Sequence, residues 1–163
     1  MRFYRSDQTP VALGPVGRPV EVHTYIYLGG LKRALRQVLH RLVVKEDVPP
    51  EDVVILTPKK RERSKLWRLG MVGNFSLTDQ WSAGSGEIFC TTVHSFKGLE
   101  SPVIILAEID AYAAQDLETV LYVGCSRACH HLVVLASADL PEDIKQKLTP
   151  TWGHQMPPTE KHT

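Results

Sequence analysis

Thr91-Thr92-Val93-His94-Ser95-Phe96-Lys97-Gly98-Leu99-Glu100 lies between two apolar runs, Ile88-Phe89-Cys90 before it and Val103-Ile104-Ile105-Leu106-Ala107 after it. The runs read as buried strands. Between them stand hydroxyls, an imidazole, an ammonium, a glycine and a carboxylate, together too polar for a core segment. A polar turn held between buried strands is where an α/β protein keeps its ligand contacts. Lys97-Gly98 suits an anion, because lysine supplies a point charge and glycine lets backbone approach closely. Glu100 can accept hydrogen bonds from a sugar hydroxyl or pair with a cation. The residue types alone leave a second reading open, a solvated loop in which Glu100 caps a turn.

Working outward, Val53-Val54-Ile55-Leu56 is a β-branched run without alternation, as expected of a strand buried on both faces. Val20 to Leu28 alternates, with Val20, Val22, Thr24, Ile26 and Leu28 on one side, which predicts a strand ended by Gly29-Gly30. Leu31, Ala34, Leu35, Val38, Leu39 and Leu42 recur at three- and four-residue spacing, an amphipathic helix of about three to four turns, and Pro49-Pro50 ends any continuation. Pro58 is suited to open a helix. The cations Lys59, Lys60, Arg61, Arg63, Lys65 and Arg68 would then line it against a single acid, Glu62. Helical spacing puts Lys59, Lys60 and Arg63 near one face, either for phosphate contact or as a solvated charged surface.

Residues 70–86 are glycine-rich and irregular, with a strand at Phe75 to Thr78. A helix is expected between Ala113 and Cys129, a buried strand at Leu132 to Ala136 and a short helix from Pro141 to Leu148. Residues 1–19, with Pro10, Gly14, Pro15, Gly17 and Pro19, read as a lead-in, and 149–163 as a tail. Strands alternating with helices predict an α/β domain over 20–148, its mostly parallel sheet covered on both faces.

The whole sequence of 163 residues is one domain's length, 43% apolar, with a formal net charge of +1. That balance argues against binding nucleic acid through bulk charge and leaves room for a local basic patch. No apolar run approaches the roughly 20 residues that cross a bilayer, and Met1 to Ser6 shows no apolar leader. Three cysteines without a leader fit a reducing, cytoplasmic setting. Cys125, Cys129, His130 and His131, with Cys90 and His94 upstream, lack the spaced pairs that zinc requires. They read as packing residues, and no metal site is expected. Arg127, among the small neighbours Gly124, Cys125, Ser126 and Ala128, either offers its planar guanidinium to a phosphate or carboxylate or snorkels from a helix surface.

Taken in order, Thr91–Glu100 and Leu121-Tyr122-Val123-Gly124-Cys125-Ser126-Arg127-Ala128 resemble motifs V and VI of superfamily 1 helicases of the UvrD/Rep type, with Ser126 where the family usually has Thr. Val53–Thr57 and the basic segment after it resemble the strand and helix near the start of that family's second RecA-like domain. The resemblance covers about residues 20–137. It implies a RecA-like, three-layer C-terminal motor domain in which Arg127 is the arginine finger reaching the γ-phosphate of ATP on a partner domain. It further implies that Glu100 bonds the ribose, with Lys97 and Gly98 lining the same cleft. Thr92, His94 and Ser95 would face single-stranded DNA, with Lys59, Arg61 and Arg63 along the backbone path.

One departure limits what the chain does alone. The phosphate loop G-x-x-x-x-G-K-[ST] and an acidic pair for Mg²⁺ are both absent from the sequence. The expectation is therefore a fragment of an ATP-dependent DNA helicase that needs an N-terminal RecA-like motor domain, ATP and Mg²⁺, and is no ATPase by itself. The alternative expectation is a stand-alone nucleic-acid- or protein-binding module that keeps the fold without ATP hydrolysis.

Overall fold

Every residue of the first strongly apolar strand, Val53–Thr57, is buried, because hydrogen-bonded neighbours flank it and helical layers cover both its faces. The computed structural model describes residues 20–81, 84–111 and 116–145. Within them run β1 (Glu21–Tyr25), α1 (Leu28–Leu39), a π-helical turn (His40–Lys45), a 3-10 turn (Pro50–Asp52), β2 (Val53–Thr57), α2 (Leu66–Leu69), β3 (Met71–Val72), β4 (Phe75–Thr78), β5 (Ile88–Thr92), β6 (Ser101–Ile109), α3 (Leu117–Arg127) and β7 (Ala128–Ser137). The strands form one sheet in the order β1-β7-β6-β2-β5-β4-β3. Its pairings are parallel except for the β3–β4 hairpin.

Strand alternation divides the core into two layers. Val54, Leu56, Ile104, Leu106, Leu132 and Val134 pack with Leu117, Val120 and Val123 of α3 on one face. Val53, Ile55, Val103, Ile105, Val133 and Leu135 pack with Leu31, Leu35, Val38 and Leu39 of α1 on the other. The expected mostly parallel sheet with helices on both faces is what the chain forms.

Several boundaries differ from the sequence expectation. β1 ends at Tyr25, because its partner runs out at Ser137, and Ile26 and Tyr27 beyond it are 77% and 59% exposed. Gly29 and Gly30 lie inside α1, where the amides of Gly30 and Leu31 both bond to Tyr27 O. Residues 61–63 form a turn and only Leu66–Leu69 is helical, so the basic helix expected over Lys59–Arg68 is mostly absent. β3 was not anticipated from its glycine-rich surroundings. β6 and β7 are longer than their apolar centres. The lead-in 1–19, the helix start at 113–115, residues 146–148 and the tail 149–163 lie outside the described residues. Among the described residues no helix is long and apolar enough to cross a membrane.

An ionic cluster ties β1, β7 and the π-turn together. Glu21 accepts hydrogen bonds from Arg41 Nη2 at 2.8 Å and pairs with His23 Nε2 at 2.6 Å and His131 Nε2 at 3.2 Å. Burial opposes its ionisation, but the bonds from His131, His23 and Arg41 outweigh that and hold the carboxyl well below the usual carboxylate range. A carboxyl depressed in the folded state adds stability above its unfolded pKa of about 4.3, and that stability fades as pH falls through the folded value. Glu21→Gln is therefore expected to lower the melting temperature by a few degrees at neutral pH. The gap between variant and parent should narrow steadily in melts taken from about pH 5 down to pH 2.

Candidate functional site

The connection 93–100 joins β5 to β6, and both strands run parallel to β2, which lies between them. It therefore leaves the C-terminal edge of the sheet and arrives at the N-terminal edge. At its start, Val93 N donates to Thr57 O at 2.9 Å. Just after its end, Ser101 Oγ donates to Asp52 O at 2.9 Å. Asp52 precedes β2 and Thr57 ends it, a span of roughly 16 Å at strand rise. The polar stretch is thus stretched across one face, with its two ends on opposite edges.

Local packing sets how the stretch lies. Val93 and Phe96 are 7% and 2% exposed and join the α3 layer. This anchors the crossover and turns His94, Ser95, Lys97, Gly98, Leu99 and Glu100 outward. Phe96 N bonds to Thr92 O and Val93 O, and Leu99 N to Phe96 O, giving a compact turn. At the C-terminal edge Ser95 N donates to Thr92 Oγ1 at 3.0 Å, and the two hydroxyls bond at 2.9 Å. Gly98 has φ +82, and a Cβ there would meet nothing within 4 Å. Its backbone conformation, with no crowding neighbour, is what demands glycine.

The N-terminal edge gathers the other candidates. Ser101 pairs with Ala128, so Glu100 and Arg127, each one residue earlier, stand at the mouth of the same strand pair. Glu100 Oε1 accepts from Cys129 Sγ at 3.6 Å, and burial together with that carboxylate pushes the Cys129 thiol up. Arg127 closes α3 in its last turn. Its Nε is buried and has no hydrogen-bond partner, so one donor of the guanidinium lacks an acceptor. α3 lies close on the sheet because Gly124 has no side chain: a Cβ would come within 2.6 Å of Leu106 Cδ1.

At the C-terminal edge two cations after β2 are held by acids that directly follow β6 and β4. Lys59 Nζ pairs with Asp110 at 2.5 Å. Arg61 pairs with Asp79 and lies over the Trp67 ring, 5.1 Å from its centroid. Arg63 is exposed in the turn, as are Lys60 and Lys65. Glu108, which the sequence reading passed over inside an apolar strand, is 2% exposed. It accepts from Thr57 Oγ1 and Ser64 Oγ at 2.7 Å each and from Lys65 N at 2.9 Å. These tertiary acceptors, with Pro58 ahead of them, fold 58–65 as a loop where local spacing alone predicts a helix. The only local signal was a carboxylate in an otherwise apolar run.

The cysteines do not assemble. Cys90 lies in the α1 layer and Cys125 in the α3 layer, each thiol pushed up to about 12, chiefly by burial. His131 is 3% exposed and engaged with Glu21.

A mostly parallel sheet in this order, with helices on both faces, is an α/β fold of the RecA-like class. Residues 87–135 match the family model of the UvrD-like helicase C-terminal domain, and this segment holds the whole crossover, α3 and most of β7. The chain is similar in structure to the C-terminal domain of a possible DNA helicase from Lactobacillus plantarum WCFS1, at 19% identity and TM-score 0.59, over 78% of this chain and 80% of that one. Weaker likenesses are the C-terminal part of the Fun30 ATPase domain (12% identity, TM-score 0.49, 82% of this chain and 54% of that one) and the E. coli DEAD-box protein SrmB bound to regulator of ribonuclease activity A (13%, TM-score 0.47, 82% and 86%). Comparison with curated proteins gave no match. Thr91–Glu100 and Leu121–Ala128 both lie inside the matched segment, so the family-model match agrees with the resemblance read from the two polar motifs.

Proposed function

We propose that this domain is the second motor domain of an ATP-dependent DNA helicase, closing on an N-terminal RecA-like motor domain that holds ATP and Mg²⁺. The observation that carries the reading is the buried, unpartnered Nε of Arg127. Buried donors in folded proteins have acceptors, and a guanidinium short of one at a domain edge suits an anion delivered from outside. In this reading Arg127 meets charge developing on the transferred phosphoryl group. Glu100, exposed on the same edge, accepts from the ribose, and Lys97 and Gly98 flank the nucleotide. At the opposite edge Thr92, His94 and Ser95 meet single-stranded DNA, and the segment of Lys59, Arg61 and Arg63 follows its backbone.

Opposed edges give a division of labour: ATP-driven closure at one edge shifts the grip on DNA at the other. ATP and Mg²⁺ supply the reaction and the neutralising charge, and this chain supplies one wall of the cleft. The purified chain with ATP, Mg²⁺ and single-stranded DNA is expected to release no phosphate above background. Turnover that Arg127→Ala abolishes would instead mean a complete active site within the chain. The competing reading, a binding module without a motor, predicts that no phosphate-loop domain gains activity when this domain is joined to it.

A further inference from the structure

Strand β6 carries an irregularity that the reading above leaves unused. Along it Ile104 and Leu106 face the α3 layer and Val103, Ile105 and Ala107 the α1 layer, yet Ile109 returns to the α3 layer. One extra residue has been taken up. Pairing with β7 steps from Leu106↔Val134 to Ile109↔Ala136, three residues against two. The bulge includes Glu108, whose φ is +60, in a region where side-chain-bearing residues are rare and strained. β-Bulges re-aim side chains at sheet edges, and this one aims a carboxylate into the loop after β2.

We infer that Glu108 is a positioning residue that sets the loop 58–65 for contact with a nucleic-acid phosphate backbone. The inference rests on the proposed assignment of the C-terminal edge to DNA. The donors to Glu108 all come from the segment it organises: Thr57 Oγ1, Ser64 Oγ and Lys65 N. Both hydroxyls in turn accept backbone amides, Lys59 N to Thr57 Oγ1 and Leu66 N to Ser64 Oγ, each at 3.1 Å. One carboxylate thereby fixes both ends of the loop. Lys59 and Arg61 pair with Asp110 and Asp79; Lys60, Arg63 and Lys65 are exposed. All three groups donate, so both oxygens of residue 108 serve as acceptors. A glutamine keeps one acceptor oxygen and turns its NH₂ either against Lys65 N–H or toward the two hydroxyls, so at least one of the three donors loses its acceptor.

The test compares the full chain with Glu108→Gln, Lys60→Ala/Arg63→Ala and the combined variant. Binding to a fluorescent oligothymidylate is titrated across salt concentrations. Glu108→Gln is expected to weaken binding about tenfold and to flatten the salt dependence by about one phosphate contact, with no further loss in the Lys60→Ala/Arg63→Ala background. Amide exchange over 58–65, measured without DNA, should quicken in Glu108→Gln. Val120→Ala, in the α3 layer, serves as a control of reduced stability and should keep parental affinity. Should Glu108→Gln fail to fold, Glu108→Gly keeps the positive-φ bulge while removing the carboxylate. Parental affinity in either Glu108 variant, or additive losses in the combined variant, would overturn the inference while leaving DNA binding by the domain intact. A parent chain that binds no oligonucleotide would sink the DNA assignment and the positioning role with it. Unchanged exchange over 58–65 would separately show that Glu108 does not hold the loop.

Discussion

If the domain works as proposed, alanine at Arg127 is expected to cut ATP turnover by roughly 10³-fold or more once the domain is joined to an N-terminal RecA-like motor domain. ATP affinity should shift far less. The asymmetry follows from where the side chain stands: Arg127 ends α3 at an exposed edge, its Nε lacking any acceptor. A group that completes its hydrogen bonding only when the cleft closes acts on the transition state more than on bound ATP. Lysine in its place keeps the charge and loses the planar fork, so Arg127→Lys should recover only a small part of the rate. Steady-state kcat, read beside an equilibrium measurement of nucleotide binding, separates the two effects. Equal losses in both would make Arg127 a ground-state contact.

The second large effect is expected at Gly124, one helical turn before Arg127. A Cβ there would meet Leu106 Cδ1 at 2.6 Å, Leu106 Cγ at 3.1 Å and Leu132 Cδ1 at 3.3 Å. Leu106 is fully buried and Leu132 is 2% exposed, so neither has space to retreat. Overpacking of this kind costs about 1–3 kcal/mol. For Gly124→Ala the better helix propensity of alanine returns about 1 kcal/mol, leaving a small net loss. Gly124→Val adds two more methyl groups and a β-branched side chain, and should lose ~3 kcal/mol or more, a large part of a typical domain's stability. Urea denaturation checks this. A valine variant with the parent's midpoint would show that α3 is not seated on Leu106 as described.

The sheet was legible because its central strands are written as apolar β-branched runs, and α1 because its stripe keeps a regular period. The elements that went unread owe their form to distant partners. Nothing near Lys59–Arg68 shows that Asp79, Glu108 and Asp110 will fold the segment as a loop. Nothing near Gly29-Gly30 shows that β1 must stop where β7 stops. The site divides along the same line. Residues 91–100 and Arg127 stood out by their chemistry. That the former cross the sheet from edge to edge needed the parallel pairing of β5, β2 and β6. Glu108 escaped notice because one acid in an apolar strand carries no pattern.

That crossing is the centre of the account, since the proposed function gives the two ends of one motif two different ligands. The most direct measurement is a pair of titrations on the joined motor, single-stranded DNA affinity and KM for ATP, comparing His94→Ala/Ser95→Ala with Glu100→Ala. The expected result is a split: His94→Ala/Ser95→Ala loses DNA affinity at unchanged KM, and Glu100→Ala raises KM at unchanged DNA affinity in the absence of nucleotide. Both variants weakening the same ligand, and sparing the other, would contradict it.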